Sequence, residues 1–173
     1  MAVIRLIEPK DVNRLGEIHA RGWQVGYKGI FPDEFLDSIT AEDRASRWLE
    51  RANNPNAEDR SHWTIEDEGN VQGFLSIGPN RDPDLVSDTT YELFALYVDP
   101  QAWGKSYGHQ LTEHGINKAR ELGGWNDMTL WVLADNARGR KFYKRQGFVL
   151  EGGQKDWDRG GVVLSQLRYR IEL

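Results

Sequence analysis

The 173-residue chain contains no cysteine. That excludes disulfides, thiolate metal sites and a cysteine nucleophile, and it fits a reducing compartment. It also lacks a basic excess: 22 Lys and Arg stand against 27 Asp and Glu, a formal net charge of −5. A nucleic-acid binder normally presents the opposite balance, so no nucleic-acid partner is expected. No apolar run approaches the roughly 20 residues that a membrane helix needs, so no membrane partner is expected either. The opening Met1-Ala-Val-Ile-Arg-Leu-Ile-Glu8 has no basic segment followed by an apolar one. A signal peptide is therefore not expected, and the cytoplasm is the default location. The four histidines, His19, His62, His109 and His114, show no metal-ligand spacing with carboxylates, and no metal is expected. No repeat, low-complexity tract or linker interrupts the chain. With 39% hydrophobic and 28% charged residues, it reads as one soluble globular domain over residues 1–173.

What is present alternates between strand and helix signals. Val3 to Ile7 alternates apolar and polar residues and stops at Pro9, a short strand. Asp11 is a plausible N-cap for a helix carrying Val12, Leu15, Ile18 and Val25. Thr40-Ala-Glu-Asp43 resembles a capping box opening a helix whose Ala45, Trp48, Leu49 and Ala52 share one face. After a polar loop over 53–60, strands are predicted about His62 to Glu66 and Val71 to Ile77, with Glu68-Gly69-Asn70 turning the hairpin. A polar loop over 79–89 precedes a strongly apolar strand, Tyr91 to Val98. A turn over 99–105 leads to a helix from Tyr107 to Leu122, striped by Leu111, Ile116, Ala119 and Leu122 and ended by Gly123-Gly124. Met128 to Leu133 is another strand and Asn136 to Gln146 another helix, stopped by Gly147. Phe148 to Trp157 and Val162 to Glu172 form a final hairpin around Asp158 to Gly161. The order is β-α-α-β-β-β-α-β-α-β-β, a mixed α/β domain.

The informative stretch is Leu96-Tyr-Val-Asp-Pro-Gln101-Ala-Trp-Gly104-Lys-Ser106-Tyr-Gly108-His-Gln-Leu111, between a buried strand and an amphipathic helix. The first helical amides have no internal partners. Small residues at 104, 106 and 108 let a phosphate approach them, and the helix dipole favours its charge. The stretch reads either as an anion cradle suited to a diphosphate or as a tight turn in which glycine relieves strain. Gly104-Lys105-Ser106 also matches the end of a P-loop, with Leu130 to Asp135 passing for a Walker-B strand. That motif, however, needs glycine where the chain has Asp99, and a longer parallel sheet than the remaining residues can build.

The same residues resemble the GNAT acetyltransferases, whose cofactor motif [RQ]-x-x-G-x-[GA] is met by Gln101-x-x-Gly104-x-Ser106, with Ser106 departing from Gly or Ala. Asn136-Ala-x-x-x-x-Phe142-Tyr143-x-x-x-Gly147-Phe148 resembles a second signature of that family. The resemblance covers nearly the whole chain. It implies the GNAT fold, a mixed central sheet splayed at the cofactor site with flanking helices, and acetyl-CoA as co-substrate. By it, main-chain groups of Leu96, Tyr97 and Val98 pair with the pantetheine arm. Amides from Gly104 through Lys105, Ser106, Tyr107 and Gly108 to His109 hold the diphosphate, Gln101 belongs to the motif, and Asn136 contacts the cofactor arm.

Acetyl transfer from a thioester to an amine requires a deprotonated amine, donors for the developing oxyanion, and a stabilised leaving thiolate. By the resemblance, the Val98 N–H serves the oxyanion and Tyr143 is the acid that protonates the thiolate, a phenol being protonated at neutral pH. Glu92, interrupting an apolar strand, is the candidate base, acting directly or through water; the alternative is a glutamate at an exposed strand start. Trp23, Tyr27 and Phe31 lie where relatives build the acceptor site, although Trp23 and Tyr27, four apart on one helix, could equally pack inward. Asp156, Trp157 and Asp158 are further candidates for that pocket. The expected activity is N-acetylation of a small-molecule amine or a peptide N-terminus, with a non-catalytic acyl-CoA-binding module as the alternative. A homodimer is plausible by family habit.

Overall fold

The computed structural model describes residues 1–56, 60–86 and 88–173. Seven strands form one sheet: β1 (Val3–Leu6), β2 (Ser61–Asp67), β3 (Asn70–Pro79), β4 (Thr90–Val98), β5 (Asp127–Leu133), β6 (Val149–Arg159) and β7 (Val162–Glu172). Among the described residues five α-helices flank it: α1 (Val12–Gly26), α2 (Asp33–Asp37), α3 (Ala41–Asn53), α4 (Tyr107–Leu122) and α5 (Ala137–Arg145). The predicted order holds with one addition, α2. Its five residues are too short for a helical period to register.

The strands lie in the order β1-β2-β3-β4-β5-β7-β6. Every neighbouring pair is antiparallel except β4 and β5, which run parallel. Opposite faces of the sheet carry separate cores. Leu75, Ile77, Tyr91, Leu93, Met128 and Leu130 pack with Leu111, Ile116 and Ala119 of α4. Phe74 and Val71 pack with Leu15, Ile18 and Trp48 of α1 and α3. Period-two alternation along β3 and β4, reset between Val71 and Gly73 where the β2–β3 register shifts, divides these residues between the faces.

Three residues assigned to buried helix stripes are exposed instead: Val25, Leu49 and Leu122. Val25 and Leu122 sit in the last turns of α1 and α4. Arg44 takes a buried place on α3, beside Trp48 and Ala52.

The parallel junction positions the site. β4 pairs with β5 only from Thr90 to Leu93 against Asp127 to Leu130. Beyond that, β4 stays with β3 as far as Val98, while β5 stays with β7 as far as Leu133. The β3–β4 register shifts between Ser76 and Ile77, so that Ser76 faces Ala95 and Ile77 faces Leu93, leaving Phe94 as the extra residue. A bulge bends and twists its strand. Here it turns β4 away from β5, and the sheet parts into a V.

Candidate active site

A cleft of about 1410 Å³ runs through the V, from α4 and α5 on one face of the sheet to α1 and α3 on the other. One wall is main chain. Asp99 caps a short 3-10 turn, accepting from the Gln101 amide at 3.0 Å. Arg14 (2.6 Å) and Arg21 (3.1 Å) reach its carboxylate from α1. Burial works against ionisation there, but the amide and Arg14 hold the carboxyl below its usual range. The negative charge at position 99 is thus turned inward and neutralised. After it, Gly104 (φ 88°) and Ser106 (φ 62°) take left-handed conformations, with Ser106 at the N-cap of α4. Successive amides in such a bend converge on one point, an anion-binding nest. The N–H groups from residue 104 to residue 109 find no acceptor among the described residues, the first α4 amide with a partner being that of Gln110.

Gly108 matters for a different reason than phosphate approach. A Cβ there would lie 3.3 Å from the Phe142 ring, so its bareness lets α4 and α5 close together. Tyr107 contributes its amide to the bend, while its side chain is buried and donates to Asp67 at 2.6 Å. His109 ties α4 to the end of α5 through Gln146 at 2.6 Å. The lining includes Gly104, Ser106, Tyr107, Gly108 and His109 but not Gln101 or Lys105, both exposed.

Four residues on this side were not singled out from sequence: Trp103, Arg138, Lys141 and Arg145, all lining the cleft. The Arg138 guanidinium stacks 3.1 Å above the Trp103 ring, and Trp103 Nε1 donates to the Val98 carbonyl at 2.9 Å. This fixes the start of α5 to the bend. The Arg138–Lys141–Arg145 spacing of three and four residues, which puts them on one face of a helix, was legible in principle. Asn136 caps α5, its Oδ1 accepting from the Gly139 amide at 2.9 Å, and it also lines the cleft.

Leu96, Tyr97 and Val98 all line the cleft beyond the point where β4 leaves β5. Tyr143 lines it too, packed against Phe142 and Phe148. Burial raises its phenol above the ordinary value, so it is protonated throughout the physiological range. Tyr27 and Tyr97 approach each other with hydroxyls 3.4 Å apart, and burial raises both.

The other wall is built of side chains. Glu92 is buried within β4 rather than at an exposed strand start. Arg81 holds both of its oxygens, Nη2 to Oε1 at 2.8 Å and Nε to Oε2 at 3.1 Å. Trp23 and Tyr27 line the cleft, and Trp23 is almost fully buried as well. Phe31 lies outside the lining, 5.4 Å from Trp23 between ring centroids. Of the hairpin residues, Trp157 lines the cleft 5.7 Å from Trp23, whereas Asp156 and Asp158 are exposed and do not. His19 and His62 line it, neutral because burial lowers them to about 3 and about 4. His114 meets Trp63 edge to face, with ring centroids 4.3 Å apart, away from the cleft. Among the described residues no three His, Asp or Glu side chains are grouped to hold a metal, and no helix is long and apolar enough to cross a membrane.

The family model described as "Acetyltransferase (GNAT) family" matches residues 20–148. A probable N-acetyltransferase of Mycobacterium tuberculosis is 26% identical over 172 residues, covering 97% of this chain and 92% of that protein. Among solved structures, the PaiA N-acetyltransferase of Thermoplasma acidophilum in complex with coenzyme A superposes with a TM-score of 0.78 at 20% identity, over 100% of this chain and 99% of that one. The ribosomal-protein-alanine N-acetyltransferase of Brucella melitensis does so with a TM-score of 0.75 at 26% identity, over 99% of each chain. With its sheet parted after Leu93, its donor-rich bend at 104–109 and a family match that spans both, the chain belongs to the GNAT family of acetyl-CoA-dependent N-acetyltransferases.

Proposed function

We propose that this protein transfers an acetyl group from acetyl-CoA to a primary amine by direct attack on the thioester, in the V between β4 and β5. The observation that carries the reading is the set of unpaired main-chain donors from 104 to 109 at the positive end of α4. A diphosphate satisfies those donors, and Arg138, Lys141 and Arg145 supply charge for the remaining phosphate. The cofactor brings the activated acetyl group; everything else falls to the chain. The unpaired edge of β4 at Leu96 to Val98 receives the pantetheine arm as an added strand would. Its free N–H groups face the forming oxyanion.

Tyr143 gives its proton to the departing thiolate, a role its raised phenol suits. Glu92 takes the amine proton through water. Oε2 already accepts from both the Arg81 amide and its Nε, whereas Oε1 accepts only from Nη2 and keeps a second lone pair for a water. Trp23 and Tyr27 shape the acceptor side, with Phe31 packed behind Trp23 as support. The acceptor is a small-molecule amine or a peptide N-terminus.

Calorimetry with acetyl-CoA, followed by thiol release across an amine panel, tests the reading. Micromolar binding and amine-dependent thiol release are expected. Folded protein that does not bind acetyl-CoA would remove it, and binding without consumption across the panel would leave a non-catalytic acyl-CoA module.

A further inference from the structure

Charges in the acceptor half of the cleft do not cancel. Arg81 pairs with Glu92, and Lys155 pairs with Asp82 at 3.3 Å. Four arginines remain: Arg44 and Arg159 beside Trp23, Arg51 over Trp48 and the exposed Arg60 over Phe94, of which Arg51 and Arg60 line the cleft. Arg44 is only 4% exposed and forms no ion pair among the described residues; its guanidinium lies 5.1 Å from the Trp23 ring. Arg159, at the end of β6, reaches the same ring from 5.7 Å and also lacks an acidic partner among the described residues. Arg51, two helical turns from Arg44 on α3, lines the cleft over the Trp48 ring at 5.0 Å and is likewise unpaired among the described residues. Glu50 lines the cleft but makes no ion pair there, and Asp43 is taken by Arg47. A buried guanidinium without an anion is costly unless something supplies one.

A second observation is independent of charge. Four buried nitrogens in the α1–α3 seam have no hydrogen-bond partner among the described residues: His19 Nδ1, Trp23 Nε1, Arg44 Nε and Trp48 Nε1. Buried donors are nearly always satisfied, and each one left over loses about 1–3 kcal/mol. Indole and guanidinium N–H groups can only donate. What this seam lacks is therefore an acceptor, and His19, Trp23 and Trp48 border the cleft from which one can arrive.

Resting on the acetyltransferase reading, we infer that the acceptor is an amine carrying its own anionic oxygen group, a carboxylate or a phosphate, which seats against Arg44, Arg51 and Arg159 beside Trp23. The negative formal charge of the whole chain is no obstacle, because these arginines make the surroundings of Trp23 and Trp48 locally positive. A polyamine meets uncompensated positive charge here and is rejected.

Matched amines test this at saturating acetyl-CoA: an amino acid against its carboxamide, O-phosphoethanolamine against ethanolamine, and spermidine as the polycation. At least one anionic member should exceed its neutral partner by about tenfold or more in kcat/KM, with spermidine below both. Whichever pair responds tells carboxylate from phosphate. Arg51→Gln and Arg159→Gln, at exposed or half-exposed positions, should each erase about tenfold of that preference. Turnover of the neutral partner should fall far less than that of the anionic one, and the acetyl-CoA Kd should stay put. Arg44→Met, whose charge is removed at similar volume, should do the same provided its melting curve remains cooperative. Equal or better turnover of the carboxamide, ethanolamine or spermidine would overturn the inference. So would a preference untouched by Arg51→Gln and Arg159→Gln, or no turnover of any panel member by protein that binds acetyl-CoA. Loss of acetyl-CoA binding itself would instead condemn the acetyltransferase reading on which the inference stands.

Discussion

The two walls of the cleft are built on different principles. On the α4–α5 side, recognition is main chain: a bend with two left-handed residues, a helix terminus and an open strand edge. On the α1–α3 side it is side chain: Trp23, Tyr27, Arg51, Glu92, Trp131 and Trp157 arrive from five separate elements. A main-chain wall tolerates substitution as long as the bend keeps its shape, because its donors belong to every residue alike. A side-chain wall changes its preference with each replacement. This contrast fits a common cofactor and a private acceptor.

Removing the phenol proposed to protonate the leaving thiolate should have the largest effect. Tyr143→Phe is expected to lower kcat by about 10²- to 10³-fold, the range of a general acid. Acetyl-CoA Kd should move by less than a few fold in calorimetry. An unchanged kcat would put Tyr143 back among the packing aromatics.

Acid should separate the walls next. His19 and His62, both on the acceptor wall, are lowered to about 3 and about 4, first by burial and then by Arg44 and Arg51 respectively. Below about pH 6.5 the unfolded chain takes up protons that the folded one refuses. Their contribution is therefore complete above pH 6.5 and drains away as the pH falls towards 4 and 3. Unfolding free energies from urea titrations should fall by about 2–3 kcal/mol per histidine between pH 7 and pH 4, and His62→Asn should flatten that slope. A flat profile in the parent protein would contradict the buried, neutral state of both rings.

The smallest expected effect probes the main-chain wall. At φ 88° Gly104 occupies a region closed to β-branched residues. Gly104→Val should force the bend to relax, weakening acetyl-CoA by about tenfold, for a strain of about 1–2 kcal/mol. The KM of the amine should be unaffected. Unaltered acetyl-CoA affinity would mean that the bend's shape is not what holds the cofactor.

How much of this was legible follows from the same contrast. The bend could be read because its residues are contiguous: strand, Gly104, Ser106 and helix succeed one another within about a dozen positions. The capping of α3 was equally local, with Thr40 Oγ1 accepting from the Asp43 amide at 3.2 Å. The acceptor wall could not be read in that way. Glu92 was visible as a polar residue in an apolar strand, but not its clamp by Arg81, eleven residues away across a loop. Trp157 drew notice alongside Asp156 and Asp158, and only the pairing of β6 with β7 decided that the ring, and neither carboxylate, faces the cleft. Arg44 gave no signal at all, since a charged residue in a helix is ordinarily solvated.

By itself the sequence determined the succession of strands and helices, the donor-rich bend and the helix that follows it, because these depend on dihedral preference, capping and periodicity over a few neighbours. The tertiary structure alone decided where the sheet opens and which side chains face each other across the opening. Those depend on a one-residue bulge at Phe94 and on two strands following different partners, and pairing between distant segments leaves no local trace in the order of the residues.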